Sequence, residues 1–396
     1  MKTAVRIIVL VLVVGAAGFG GYYILNGIKL PTFPEVVDIV PFQIGGGGPS
    51  GNTVEKPTEQ VGGGGAETTG ESGNLLERVS RGAVFSYSVI SDSEIYYFAT
   101  DGRVFRVKAD GDEVVSDKTL ASLNGVWTTS DGKRALVSFG DPARPEWGVF
   151  DFLDGVWRPL PASIEYAAWG ENADMLIAIE EANGQRDLVK VNLAKGTPVS
   201  STIFRNFGVR DVSFVNAGKD RVFIVEKASS FYKGSVWELN TKTLEMKTVF
   251  FEEPGLSLKV LGSNSGVIKF SSPNKFSLNT LSGEIKKEFI IKTIPNKCGG
   301  AGNRFFCFFP TNIPENIFLP DDYFKNKVSF VDALYEINRE TGEDFIMFQS
   351  GVDTIPIIDG VDVSLVGERL YFINKYDKRL YRANLTLLEK SKNVVE

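Results

Sequence analysis

The sequence predicts an all-β fold, a seven-bladed β-propeller of four-stranded antiparallel blades, preceded by one N-terminal transmembrane helix and a flexible linker. Three observations carry this. From about Leu75 onward the 396-residue chain consists of short β-branched and aromatic runs bounded by turn residues, such as RALVSF, DRVFIVEK, GVIKFSS and ERLYFINK, and it shows no long amphipathic helix. A mostly apolar pair of residues nine positions apart recurs at a roughly constant period. Ahead of the strands lie an uncharged apolar run and a glycine-rich segment.

The N-terminus reads MKTAVRIIVLVLVVGAAGFGGYYILNGIKL. Residues 1–6, with Lys2 and Arg6, form a positive cytoplasmic n-region, and residues 7–25 carry no charge. A spanning helix needs about 20 apolar residues, whereas a cleaved signal core has roughly 7 to 15, so the run reads as a retained anchor. The small residues of GAAGFGG keep cleavage open as the competing reading. Either way the rest of the chain is expected outside the cytoplasm, and the anchor reading places it at the cell membrane as a single-pass protein. Residues 26–74 form the linker, with GGGG at 45–48 and again at 62–65 among Ser, Thr, Pro, Gln and Glu. From Gly45 to Gly73 a coil of that kind averages roughly 30 Å end to end. Leu30 to Ile44 is more apolar than a tether requires.

The propeller is assigned to residues 75–391, with a tail at 392–396. The nine-residue pairs are Tyr87 and Tyr96, Trp127 and Leu136, Trp169 and Ala178, Phe214 and Phe223, Leu258 and Val267, Cys298 and Cys307, and Val363 and Phe372. Their first members are spaced 40, 42, 45, 44, 40 and 65 apart. A nine-residue interval around a tight turn makes the two residues a cross-strand pair on one face. Further strands follow each hairpin, for example WGVFDFLDG and VWRPLP after RALVSF. Four strands per period, seven times, make a seven-bladed propeller.

Cys298 and Cys307 are the only cysteines. Directly opposed residues lie about 4.5 to 5.5 Å apart at Cα, inside disulfide range, and an exported domain permits the bond. A disulfide between them is expected; two small buried thiols are the alternative.

The interval of 65 reflects an insertion, Pro310 to Val331, between the second and third strands of blade six. It belongs on the face that also carries the blade-to-blade loops. Phe318, Asp321, Asp322, Tyr323 and Phe324 are its candidate partner surface, because aromatic residues anchor interfaces. The alternative is a lid packed on its own blade. Two adjacent aspartates are a poor calcium signal without spaced oxygen ligands. Glu165, Arg210, Asp211, Lys259 and Asp362, with Lys297 nearby, are candidates for the channel mouth, where mixed charges hold a small polar ligand or form a solvated rim.

Composition excludes several classes. The balance of 43 basic and 49 acidic residues argues against general nucleic-acid binding. The absence of histidine removes the Ser-His-Asp triad, the Cys-His dyad and histidine-ligated zinc. There is no G-x-S-x-G and no P-loop. No cofactor is indicated. Carboxylate-pair glycoside hydrolysis is the remaining enzymatic alternative.

TSDGKRALVSF, with Ser130, Asp131, Gly132 and Lys133, resembles the SPDGK turn of TolB-like propeller repeats. NAGKDRVFIV and WGENADMLIAI keep the shape without the Asp-Gly pair. The segment from Cys298 to Glu343, including LPDDYFKNKVSF and LYEINRETGE, is similar to a group of membrane-anchored bacterial propeller proteins. The resemblance covers most of residues 75–390. It implies a non-enzymatic envelope scaffold that contacts another envelope protein.

Overall fold

The computed structural model describes residues 75–392, apart from 195–196, 219, 263–265, 274 and 353–354. The expected anchor at 7–25 and the linker at 26–74 lie outside the described residues. No helix among the described residues is long and apolar enough to cross a membrane.

Among the described residues, 28 strands form seven sheets of four. Blade one runs through Val84–Ser91, Glu94–Ala99, Val104–Arg106 and Glu113–Ser116. Blades two to six follow in chain order, starting at Leu123, Ile164, Val212, Ser257 and Cys298. Blade seven takes Gly360–Val366, Arg369–Asn374 and Arg379–Asn384 from the C-terminal part, and its outermost strand is Leu76–Arg78 from the start of the described chain. Leu76 pairs with Ala383 and Arg78 with Tyr381. The ring is therefore closed by a strand contributed from the other end of the domain. Ring closure leaves the sheets few open edges.

Apolar side chains on the facing surfaces of adjacent blades form the core. Leu136, Trp147 and Val149 of blade two meet Ile164, Ala167 and Trp169 of blade three. The largest cluster joins Phe270 and Phe276 of blade five, Phe305 and Phe309 of blade six, Tyr371 and Ile373 of blade seven, and Val84 and Tyr97 of blade one. Each such side chain contributes about 1.5–3 kcal/mol on removal from water. The Tyr87 hydroxyl of blade one lies 2.9 Å from the Tyr371 carbonyl of blade seven, across the closing seam. The innermost strands of blades six and seven approach so closely that a Cβ at Gly299 would collide with the Val363 carbonyl.

The nine-residue pairing holds in part. Trp127 faces Leu136 and Cys298 faces Cys307. Elsewhere the register differs. Tyr87 faces Tyr97, Trp169 faces Leu176, Phe214 faces Ile224, and Leu258 faces Lys269. A bulge interrupts the pairing between Val361 and Ser364, at Val363. The reason is turn length, which varies from blade to blade; a slip of one residue moves a side chain to the opposite face. Phe214 accordingly packs between blades three and four, whereas Phe223 packs on the opposite face of its blade. The sulfurs of Cys298 and Cys307 are bonded, with the Cα atoms 4.1 Å apart.

The first strand of each blade starts on the face carrying the blade-to-blade loops and the loops between second and third strands, here the upper face. Leu76 pairs with the far end of Arg379–Asn384, so the chain enters blade seven from the lower face.

Candidate functional site

The insertion of blade six leaves the strand Arg304–Pro310 and returns at Asp332–Asn338 on the upper face. Its base is closed by Thr311, whose amide and hydroxyl both donate to the Val331 carbonyl at 2.8 and 2.9 Å. Asp321–Phe324 forms one helical turn. The Asp322 carboxylate accepts the Phe318 amide at 2.8 Å and pairs with Lys327 at 3.1 Å, holding its pKa below the ordinary carboxylate range. This is local folding chemistry in which a short acidic side chain caps its own loop.

Beyond its own blade the insertion is tied to three others. On blade four, the Ser230 amide donates to Asp321 at 3.2 Å, and the Ser230 hydroxyl donates to the Leu319 carbonyl at 2.8 Å. On blade five, the Ser272 hydroxyl donates to the same carbonyl at 2.8 Å. Ahead of blade seven's first strand, Asp359 accepts the Tyr323 hydroxyl at 2.6 Å and the Phe330 amide at 3.0 Å. On blade seven itself, the Lys375 ammonium lies 3.6 Å above the Tyr323 ring. The insertion is thus a strap across blades four to seven.

Its anchor is a cluster of charges excluded from solvent. The Lys297 ammonium donates to Asp332 at 2.7 Å and to Asp359, and all three side chains are fully buried. The Tyr323 and Phe330 rings stack beside it, 5.2 Å apart and within 4° of parallel. Burial pushes the Asp332 pKa up to about 6, with Asp359 adding to the rise and Lys297 opposing it. Burial and the neighbouring Asp359 also hold the Tyr323 hydroxyl far above its usual range. A charge cluster of this kind costs desolvation and persists only when its partners are in place.

The expected partner surface divides. Asp321, Asp322 and Tyr323 are taken up by the strap's own docking and offer nothing outward; the two aspartates point to different partners and do not form a cation site. Phe318 and Phe324 remain exposed, at 54% and 48%. The Phe318 ring packs at a tilt against that of Phe231, with the centroids 5.0 Å apart, and Phe231 and Tyr232 are themselves 65% and 77% exposed. Sequence reasoning missed these last two. The readable signal was an aromatic pair in a second-to-third-strand loop, SSFYKG.

The channel-mouth residues do not converge on one point. Glu165 pairs with Arg186 at 2.7 Å, and Arg186 also donates to the Val209 carbonyl at 3.1 Å. Arg210 is exposed. Asp211 is exposed with φ 50°, and its carbonyl accepts the Lys227 amide at 2.7 Å. Burial raises the Tyr166 pKa, and the charges of Glu165 and Asp211 add to the rise. Lys259 and Asp362 form a separate pair, discussed below. Lys297 is not at a solvated rim: it anchors the strap. The carboxylates of Asp332 and Asp359 share that lysine out of reach of any substrate. Among the described residues no group of His, Cys, Asp and Glu is arranged to hold a metal ion.

No protein-family model matches the sequence, and no curated protein does. Solved structures match as propellers. The Swd1 (Cps50) β-propeller domain of Myceliophteria thermophila is 11% identical with a TM-score of 0.52, covering 78% of this chain and 99% of that one. The oligogalacturonate lyase of Vibrio parahaemolyticus is 10% identical with a TM-score of 0.52, covering 78% and 93%. The tricorn protease is 9% identical with a TM-score of 0.50; the match covers 81% of this chain but only 35% of the protease. At such identities the likeness is one of fold alone.

Proposed function

We propose that this propeller is a non-catalytic binding or scaffolding module of the cell envelope, tethered to the membrane by residues 7–25 and contacting another envelope protein through its upper face. The observation that carries the reading is the exposed contact of the Phe231 and Phe318 rings, with Tyr232 and Phe324 on the same face. Exposed aromatics on a rigid support are the usual anchors of protein interfaces, and isolated solvent-facing rings contribute little else. The strap supplies the rigidity, since its position is fixed by contacts to four blades. The fate of the buried acid pair supports binding over glycan hydrolysis, because Asp332 and Asp359 are both paired with Lys297 and sealed from solvent. The resemblance of TSDGK to TolB-like repeats supports the envelope setting.

The test is site-specific photocrosslinking in intact cells. A photoreactive residue at Phe231 or Phe318 is expected to yield one discrete protein adduct, and the same residue at Ile285, on an outermost strand, is expected to yield none. The Phe231→Ser, Phe318→Ser double variant should abolish an adduct trapped from Phe324. Equal labelling from all positions, or none from the upper face, rejects the proposal.

A further inference from the structure

Lys259 and Asp362 are opposite charges on the channel wall that do not meet. Lys259 lies on the innermost strand of blade five, Ser257–Val260, and Asp362 on that of blade seven, Gly360–Val366. The innermost strand of blade six, Cys298–Ala301, runs between them. The Lys259 ammonium donates to the Val363 carbonyl at 3.2 Å. Among the described residues nothing donates to the Asp362 carboxylate, and the two side chains form no ion pair within 4.0 Å.

Lys259 is half-buried, and Asp362 stays open to solvent along the channel. Desolvation by the surrounding protein lowers the Lys259 pKa and raises that of Asp362, each towards its neutral form. The backbone of Asp362 is at φ 53°, a conformation that is uncommon for a residue other than glycine. It is pinned there by the Tyr87 hydroxyl, which donates to the Asp362 carbonyl and sits 2.8 Å from the Ser364 hydroxyl. Strain of this kind persists only where the surroundings over-determine it.

We propose that Lys259 and Asp362 bind a small zwitterion of the α-amino-acid type in the channel, its ammonium on Asp362 and its carboxylate on Lys259. The pair is net neutral, so a ligand of one sign relieves one charge and is repelled by the other. A sugar hydroxyl bridges the two without compensating either. A zwitterion supplies a charge-assisted hydrogen bond to each, and such bonds are about twice as strong as neutral ones. This site is separate from the aromatic upper face, and neither depends on the other.

Isothermal titration of the purified full-length chain tests it, with the standard amino acids as ligands and acetate, methylamine and glucose as controls. At least one amino acid should bind one to one, with each control at least about tenfold weaker. Asp362→Asn and Lys259→Met should each weaken that binding by about tenfold or more, with circular dichroism confirming the fold. Should a variant fail to fold, the ligand comparison on the unaltered chain decides alone. The proposal falls if no amino acid binds at about 10 mM, if a control binds as well as the best amino acid, or if both folded variants bind unchanged.

Discussion

The Tyr323 hydroxyl donates to the Asp359 carboxylate over 2.6 Å, joining the strap of blade six to the residue that leads into blade seven. Tyr323→Phe keeps the ring stacked on Phe330 and removes this bond together with the one the hydroxyl accepts from the Lys297 ammonium at 3.3 Å. Depriving a buried carboxylate of a donor costs about 1–3 kcal/mol. Limited proteolysis between Thr311 and Val331 should accelerate in the variant. An unchanged cleavage rate would mean that the hydroxyl does not hold the strap.

Acid should favour the folded state through Asp332. Its carboxyl titrates near 6 in the folded protein, above its ordinary value, because burial opposes the charge. Between about pH 4 and 6 the folded state keeps a proton that the unfolded chain has released, so this group's contribution falls as pH rises through that window and is level above it. The full excursion is on the order of 3 kcal/mol. Denaturant unfolding of Asp332→Asn against the unaltered chain reads it out: the variant should gain relative stability from pH 4 to 6. A flat difference refutes the assignment.

Replacing both cysteines by alanine should lower global stability by at most about 3 kcal/mol, because the closed loop is short. The effect should concentrate on the strap, since Cys298 directly follows the anchoring Lys297. Protease nicking between 311 and 331 should rise more than the unfolding midpoint falls. Labelling of both thiols in protein denatured without reductant would show that no bond was there to lose.

Gly299→Ala should be costly for its size. The added methyl collides with backbone, the Val363 carbonyl, which cannot turn aside as a flexible side chain does. Overpacking of this sort costs about 1–3 kcal/mol. Thermal unfolding measures it. The same change at Gly208, where a Cβ meets nothing within 4 Å and φ is not positive, separates the collision from a general glycine effect. Equal losses at both would remove the collision as the cause.

The blade count was legible because a period survives small errors of register. The registers were not, because hairpin turns of unequal length leave the same spacing in sequence while shifting partners by one or two residues. A steadier marker went unread. Asp151, Asn192, Asn240 and Asn338 each end a third strand, and each accepts the backbone amide two residues on. That turn chemistry explains DFLDG, NLA, NTKTL and NRETG as one recurring element. At the site, Phe318 was visible as an aromatic on an insertion. Its partner Phe231 was not, since nothing local links positions so far apart in the chain. Lys297 was misread for a physical reason: lysines are almost never fully buried unless paired, and its two partners lie 35 and 62 residues away.

The closing strand Leu76–Arg78 has a mechanical consequence. It runs from the lower face upward and is held to its neighbour by three residue pairs, with Glu77 bridged to Arg382 across the same seam. Tension on the chain ahead of Leu76 is directed along this strand, so the rungs are loaded together in shear instead of parting one by one. Blade seven is then the fuse of the ring. While it holds, the aromatic upper face stands at the end opposite the pull; once it slips, the outermost position of blade seven is vacated and the circular array loses its clasp.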